Sequence, residues 1–361
     1  MQLTLAQFIL QQRQPVPPVF ESDLQGKTVI VTGASNGIGQ EAAIHFARMK
    51  PKKLILACRN KERGEAALKQ LKDKTGCEAA ELWTVDLLDF DSVKAFARRV
   101  EDECDRLDIL VENAGILPPE KYTATKDGWE PCFQVNNLST SLLALLLLPR
   151  MMETAEEHTT TPRLVVVSSE VHYWSKIDKK VIDAANPIKF YGSEDNFTRV
   201  DQKNRYPETK LMNILFVRAF NEHLGEKKIT IDSVNPGYCY SGLRANYKGA
   251  MAWFDWFMEK VIARTAEEGS RQLIWAALGG KDKEDELKGA YVSAENIMEP
   301  SDFVISEEGK HAQEVLWDNL IRELTHVDPK VKDVVQEYLT LPTPAKKTDP
   351  NPLSESVFDG I

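Results

Sequence analysis

The chain reads as a single doubly wound α/β domain, with a parallel sheet and an enlarged C-terminal lid on its ligand side. Three observations predict this. Short apolar, β-rich runs alternate with amphipathic helical stretches, the signature of βαβ units whose sheet is covered on both faces. The first run leads directly into a glycine-rich turn and a helix start, Thr32-Gly33-Ala34-Ser35-Asn36-Gly37-Ile38-Gly39. Two long, aromatic-rich segments follow later strands, at 170–205 and after Gly237.

In chain order, residues 1–25 form a polar arm containing Pro15-Val16-Pro17-Pro18, and residues 26–330 form the domain, with the lid at about 238–262. Strands are expected at Thr28–Thr32, Lys53–Ala57, Ala80–Val85, Ile109–Val111, Leu164–Ser168, Ile229–Val234 and Gly289–Val292. Helices are expected at Gly39–Met49, Lys61–Lys74, Asp91–Glu103, Trp129–Leu148, Lys210–Leu224 and Ala266–Leu278. Residues 331–361 read as a tail, Pro-rich and poorly ordered from about Pro342.

Composition narrows the function. The 361 residues are 42% hydrophobic and 28% charged, ordinary for a globular chain with a sizeable core. A formal net charge of −10 argues against nucleic acid or an anionic membrane as partner, since both need clustered cations. The cysteines Cys58, Cys77, Cys104, Cys132 and Cys239 show neither C-x-x-C nor metal-ligand spacing, so buried thiols in a reducing, cytoplasmic setting are expected. The apolar run Leu142–Leu148 stops at Pro149, far short of the roughly 20 residues that span a bilayer. It reads as a buried helix, and no transmembrane segment is expected.

The glycine turn has a physical purpose. It lies where a doubly wound sheet binds a dinucleotide, its glycines admit a pyrophosphate close to the backbone, and the helix beyond offers free N–H groups and a positive dipole end. The second strand then runs into Arg59, with Arg63 one turn later and no acid at the strand end. An Asp or Glu there would accept from a ribose 2′-OH, whereas Arg suits a 2′-phosphate, so NADP(H) is favoured over NAD.

A second pair carries proton chemistry. Tyr206 and Lys210 stand at i and i+4, on one face of a helix. A phenol titrates near pKa ~10, and a neighbouring cation lowers that value, so the pair can pass a proton to or from a carbonyl or alcohol oxygen. Tyr122 and Lys126 have the same spacing but lie between Pro118-Pro119 and Asp127-Gly128, which is turn chemistry. Tyr206 and Lys210 instead lead a helix whose Leu211, Leu215, Val217 and Phe220 suit packing on a sheet. Of the neighbours Ser168 and Ser169, which point to opposite faces at a strand end, one is expected to reach the site.

Taken in order, these motifs resemble those of the short-chain dehydrogenase/reductase family over residues 26–300, and Leu56-Ala57-Cys58-Arg59-Asn60 with Thr265-Ala266-Glu267-Glu268-Gly269 resembles its retinol-dehydrogenase-like branch and similar fungal reductases. The resemblance implies a Rossmann domain whose cofactor loop is Gly33, Ser35, Asn36, Gly37, Ile38 and Gly39. It implies that Asp86-Leu87 contacts the adenine, and that Asn113-Ala114-Gly115 lines the cofactor cleft. Pro236-Gly237 with Cys239 would lie beside the nicotinamide. It assigns Ser169, Tyr206 and Lys210 to catalysis and Asn136 to a proton-relay water. It also chooses Ser169 over Ser168. Glu112 departs from the family, replacing the Asn that commonly precedes Asn-Ala-Gly, and so do Cys239 and Ser241 after Pro-Gly.

The implied reaction is hydride transfer between NADPH and a carbonyl or alcohol, the expected substrate an apolar aldehyde or ketone. Trp253, Phe254, Trp256, Phe257 and Met258 suit a pocket lining or lid, but equally core packing or an interaction surface. A homo-oligomer is compatible with the sequence. Competing readings are a non-catalytic nucleotide-sensing interaction protein, against which the intact Ser, Tyr and Lys speak, and an NAD(P)-dependent epimerase or dehydratase, whose first turn more often carries Gly-x-x-Gly-x-x-Gly.

Overall fold

Backbone hydrogen bonding ties eight strands into one sheet in the order β3-β2-β1-β4-β5-β6-β7-β8. The structure, a computed structural model, describes residues 2–199, 202–240, 242–244 and 259–339. The strands are β1 Thr28–Thr32, β2 Lys53–Cys58, β3 Ala80–Thr84, β4 Ile109–Glu112, β5 Arg163–Val167, β6 Thr230–Asn235, β7 Tyr291–Ser293 and β8 Asn296–Met298. All pairs are parallel except β7 with β8, which was not foreseen because three residues carry too little pattern to register as a strand.

Alternation along each strand builds two cores. In β1, Ile30 packs on one face with Leu110 and Leu164, while Val29 and Val31 pack on the other with Leu54 and Val165. The second face is covered by α2 Gly37–Arg48, α3 Lys61–Thr75 and α7 Ala266–Leu278. The first is covered by α4 Phe90–Glu103, α5 Pro131–His158 and α6 Gln202–Leu224. Two further helices, α8 Glu307–Val327 and α9 Lys330–Tyr338, pack over the same side. Local chemistry starts the helices where they are needed. Asn60 and Asp89 accept from the first turns of α3 and α4, and Thr265 forms a capping box with Glu268 at α7.

Three expectations change. The apolar helix does not end at Pro149 but continues to His158, because Met151, Met152 and Ala155 are buried between α4 and α9. α5 is long and apolar enough to cross a membrane by length and composition, yet it lies almost wholly inside the protein. The arm contains a helix, α1 Leu5–Gln12, with its own capping box at Thr4. α9 falls within the stretch read as tail; Pro342 and the rest of that Pro-rich segment lie outside the described residues. All five cysteines are free, and only Cys77 is not fully buried.

α8 is held on α6 by an aromatic stack, in which the Trp317 ring lies 5.9 Å from Phe216, 5.7 Å from Phe220 and 4.8 Å from His223. Trp317→Ala is expected to cost about 3–5 kcal/mol of stability, the range for deleting a buried aromatic. Urea unfolding followed by circular dichroism measures it, and a loss below ~1 kcal/mol would mean that α8 contributes little to the core.

Candidate active site

Tyr206 and Lys210 lie inside α6, which starts at Gln202 rather than at Lys210 and continues through Pro207. Lys210 is 3% exposed. Its Nζ donates to the Val167 carbonyl at the end of β5 (2.7 Å) and lies 5.6 Å from the centre of the Tyr206 ring. A Cβ on Gly115 would stand 3.6 Å from that nitrogen and 3.3 Å from Asn136 Oδ1, so the chain leaving β4 passes close to the ammonium. Burial draws Lys210 down to about 8, which leaves the charged form in the majority at neutral pH.

Asn136 sits in a π-helical turn, Gln134–Ser139, within α5. Such turns occur often at functional sites because they push side chains off the regular helical ladder. Its Oδ1 accepts from Ile116 N (2.9 Å), and its Nδ2 donates to Ile116 O (3.0 Å) and to Thr209 Oγ1 (3.0 Å). Thr209 Oγ1 in turn donates to the Tyr206 carbonyl (2.8 Å). The amide of Asn136 therefore couples the exit of β4 to the turn of α6 that carries the pair.

The two serines separate. Ser168 is buried and its hydroxyl donates to the Lys210 carbonyl (2.8 Å), facing away from the site. Ser169 is half-buried, and its Oγ accepts a long bond from Val171 N (3.4 Å), at the start of the 3₁₀ turn Glu170–Trp174. That turn packs on α6. The spacing decoy dissolves into a loop: Tyr122 OH donates to Gly192 O (3.4 Å), while Lys126 pairs with Asp89 (2.5 Å).

At the other end of the same sheet edge, β1 and β4 are adjacent strands whose chains continue in opposite directions across the sheet. This topological switch opens a crevice. Thr32 Oγ1 accepts from Asn113 N (3.0 Å) and Ala114 N (3.1 Å), and Asn113 Nδ2 donates to Thr32 O (2.9 Å). Gly33 has φ +68°, the left-handed region that favours glycine. A Cβ on Gly39 would come within 2.6 Å of Gly33 O, so the helix start and the turn touch backbone to backbone. Asn36 N-caps α2 without a side-chain bond, leaving the N–H groups of Gly37 and Ile38 without a side-chain cap, and Gln40 N makes the first intrahelical bond, to Asn36 O (3.3 Å), with Ser35 half-buried beside them.

Arg59 and Arg63 are exposed just beyond β2, and Arg59 has no ion pair among the described residues. Asp86 and Leu87 follow β3; Asp86 Oδ1 accepts from Leu88 N (2.9 Å), and Leu87 O accepts from Ser139 Oγ (2.6 Å). After β6, Gly237 N donates to Asn235 Oδ1 (3.0 Å), and Cys239 Sγ donates to Pro236 O (3.3 Å). At the carboxyl ends of β1 and β2 the structure thus offers a side-chain-free turn, a helix start without a side-chain cap and an exposed Arg. This donor set fits a phosphorylated nicotinamide dinucleotide. Ser241 and the 251–258 aromatics lie outside the described residues.

The short chain dehydrogenase family model matches residues 27–173. A short chain dehydrogenase/reductase of Cryptosporiopsis sp., dmxR8, is 35% identical over 87% of this chain and 95% of its own. The short-chain dehydrogenase anuD of Penicillium roqueforti is 35% identical over 90% of this chain and 84% of its own. The chain belongs to the short-chain dehydrogenase/reductase family. Solved structures share the fold: a short chain dehydrogenase of Escherichia coli, in complex with NADPH, superposes with a TM-score of 0.56 at 22% identity, covering 76% of this chain and 99% of that one. One from Shigella flexneri, in complex with NADP, has the same TM-score and identity, covering 76% and 100%.

Around the site of this dehydrogenase lies a layer of buried polar groups that the sequence did not single out. Arg205, beside Tyr206, is 1% exposed; it pairs with Glu130 (3.2 Å), donates to Tyr191 O (2.7 Å) and stacks 3.7 Å from the Tyr191 ring. Glu130 also caps the start of α5 by accepting from Cys132 N and Phe133 N. Tyr191 and Phe197, in the long segment 170–205, are core residues packed about this pair. Glu208 accepts from Tyr191 OH (3.0 Å), and burial raises its carboxyl to about 7. Glu112 is buried with no hydrogen-bond partner for either oxygen among the described residues, and burial pushes its carboxyl well above the usual range. Only the tertiary structure reveals these roles, because nothing local marks a charged residue as buried.

His172 is buried as well, and both ring nitrogens are used: Nδ1 meets Ser169 O (2.8 Å), and Nε2 accepts from Ser301 N (3.2 Å). Only the neutral ring with its proton on Nδ1 satisfies both bonds. Burial lowers its pKa from 6.5 to about 4. The unfolded chain therefore binds this proton first as pH falls, so the His172 contribution is intact above pH 6.5 and is lost progressively towards pH 4. The loss amounts to about 3 kcal/mol over that window. Stability measured by urea unfolding from pH 7 to 4 should fall less steeply in His172→Gln than in the wild type. Parallel curves would contradict this assignment.

Proposed function

We propose that this dehydrogenase is an NADPH-dependent carbonyl reductase, or the reverse alcohol dehydrogenase, acting on an apolar aldehyde or ketone. The observation that carries the reading is the buried Lys210 ammonium below the Tyr206 ring, with Ser169 at the adjoining strand end. When bound, the cofactor supplies the hydride for the carbonyl carbon. The glycine cradle Gly33–Gly39, Asp86, Leu87, Asn113, Ala114 and Gly115 would hold it, and Pro236, Gly237 and Cys239 would flank its nicotinamide. Arg59, aided by Arg63, would take the 2′-phosphate; the NADPH and NADP complexes of the E. coli and Shigella relatives support that preference.

The side chains then divide the proton chemistry. Tyr206 would donate its phenolic proton to the carbonyl oxygen, or accept one as phenolate in the oxidative direction. Lys210, whose charge is fixed close by, favours the phenolate. Ser169 Oγ, weakly engaged by Val171, is available to hold the carbonyl oxygen as negative charge develops. Asn136 has both N–H bonds committed to Ile116 and Thr209, so its side chain holds the frame. The relay water that the family resemblance attaches to this residue would rest on its backbone. The apolar substrate rests on the aromatic-rich run Trp253, Phe254, Trp256, Phe257 and Met258 in the sequence.

Tyr206→Phe is expected to lower turnover of apolar carbonyls by about 10²–10⁴-fold while leaving NADPH affinity within about twofold of wild type. Retained turnover in an NADPH absorbance assay would remove the assignment. Arg59→Ala removes a charge-assisted contact of about 1.5–3 kcal/mol, so the preference for NADPH over NADH, measured as kcat/KM, should drop roughly 10- to 100-fold. An unchanged ratio would place the 2′-phosphate elsewhere.

A further inference from the structure

The N-terminal arm precedes the stretch matched by the family model, yet its helix is docked onto the two segments that flank Tyr206. Leu3 and Phe8 of this arm are buried against Ile262, Tyr173 and Tyr238. Trp174, in the turn after Ser169, donates from Nε1 to Leu3 O (2.6 Å), and its ring meets Phe8 edge-on at 5.7 Å. Arg264 Nη2 donates to Gln11 O (2.9 Å), and further along the arm Arg271 of α7 donates to Pro17 O (2.9 Å).

Gln12, the last residue of α1, makes the most specific contact. It is 7% exposed. Its Oε1 accepts from Tyr238 N (3.1 Å), and its Nε2 donates to Tyr238 O (2.9 Å) and Ile262 O (3.2 Å). One side-chain amide thus satisfies both backbone groups of Tyr238, as a neighbouring strand would. The Tyr238 carbonyl accepts from Arg264 N as well (2.9 Å), and Tyr240 N donates to Arg264 O (2.9 Å), so the segment also pairs with residue 264. Gly237 has φ +84°, and a Cβ there would fall 2.7 Å from Gln12 Oε1, so the amide lies directly against the Gly237–Tyr238 backbone.

We propose that α1 is a built-in strap of the cofactor site and that Gln12 is a positioning residue, holding the Pro236–Cys239 loop where the nicotinamide end of the cofactor docks. The inference rests on the reading of that loop given above. It predicts an effect confined to one end of the dinucleotide. A ligand with only the adenosine and 2′-phosphate, 2′,5′-ADP, binds the glycine and Arg59 end and does not touch the loop. NADPH binds both ends.

The test is calorimetric titration of the full chain with each ligand. Gln12→Met keeps the length and volume of the side chain but loses all three bonds. It should weaken NADPH about tenfold while 2′,5′-ADP stays within twofold of wild type, and the retained 2′,5′-ADP binding reports an intact fold. Gln12→Asn keeps an amide that is one methylene too short and should shift the two ligands in the same way, by less. NADPH affinity equal to wild type in Gln12→Met would overturn the proposal, as would an equal loss for both ligands. Failure of the wild-type chain to bind NADPH would overturn the cofactor reading, and this inference with it.

Discussion

Lys210 is a cation placed where water does not reach, and much of the surrounding structure answers to that one constraint. An ammonium transferred from water into a protein interior is costly unless its protons find acceptors. The acceptor here is the carbonyl of Val167, the last residue of β5, which also takes a longer bond from Asn213. Strand β5 must therefore end at that residue, and α6 must cross it in a register that brings residue 210 to the strand terminus. The exit of β4 closes the same space, where Gly115 lets the backbone pass. The lowered proton affinity of Lys210 is the consequence of this burial, and the Tyr206 ring shares its environment.

Holding that register needs more than apolar packing, because hydrophobic contacts alone tolerate sliding. Directional polar contacts do not. Asn136, set off by its π turn, ties β4 to Thr209, and Ser168 ties β5 to the Lys210 carbonyl. Arg205 and Glu130 anchor the start of the helix against α5, with Tyr191 stacked upon the guanidinium. A buried ion pair of this kind adds little net stability, since desolvation offsets most of its attraction, but it disfavours every arrangement that separates the partners. His172 does the same for the Ser169 turn, using both of its nitrogens.

A good part of this was legible in the residues. The positions of β1 and α7 were read to the residue, and the other foreseen strands and helices mostly to within one or two, since their apolar runs and caps are local signals. The glycine turn and Arg59 were foreseen after the first two strands, and the structure places them there. Other features had no such signal. The Tyr122–Lys126 spacing equals that of Tyr206–Lys210, and Pro149 stands inside a helix that packing prolongs. Tyr191 and Phe197, in the long aromatic segment before Tyr206, are core, and an aromatic side chain carries no mark of which apolar surface it covers.

By itself, the sequence determined the alternating fold and the family, because strand and helix runs and ordered motifs are local signals. Only the tertiary structure decided that Ser168 is spent on the Lys210 carbonyl, how deeply Lys210 is buried, and that an N-terminal helix grips the loop after β6. Gln12 and Tyr238 are 226 residues apart. Their contact exists because the completed sheet brings the carboxyl end of β6 beneath the arm, and no local pattern encodes a meeting of that range.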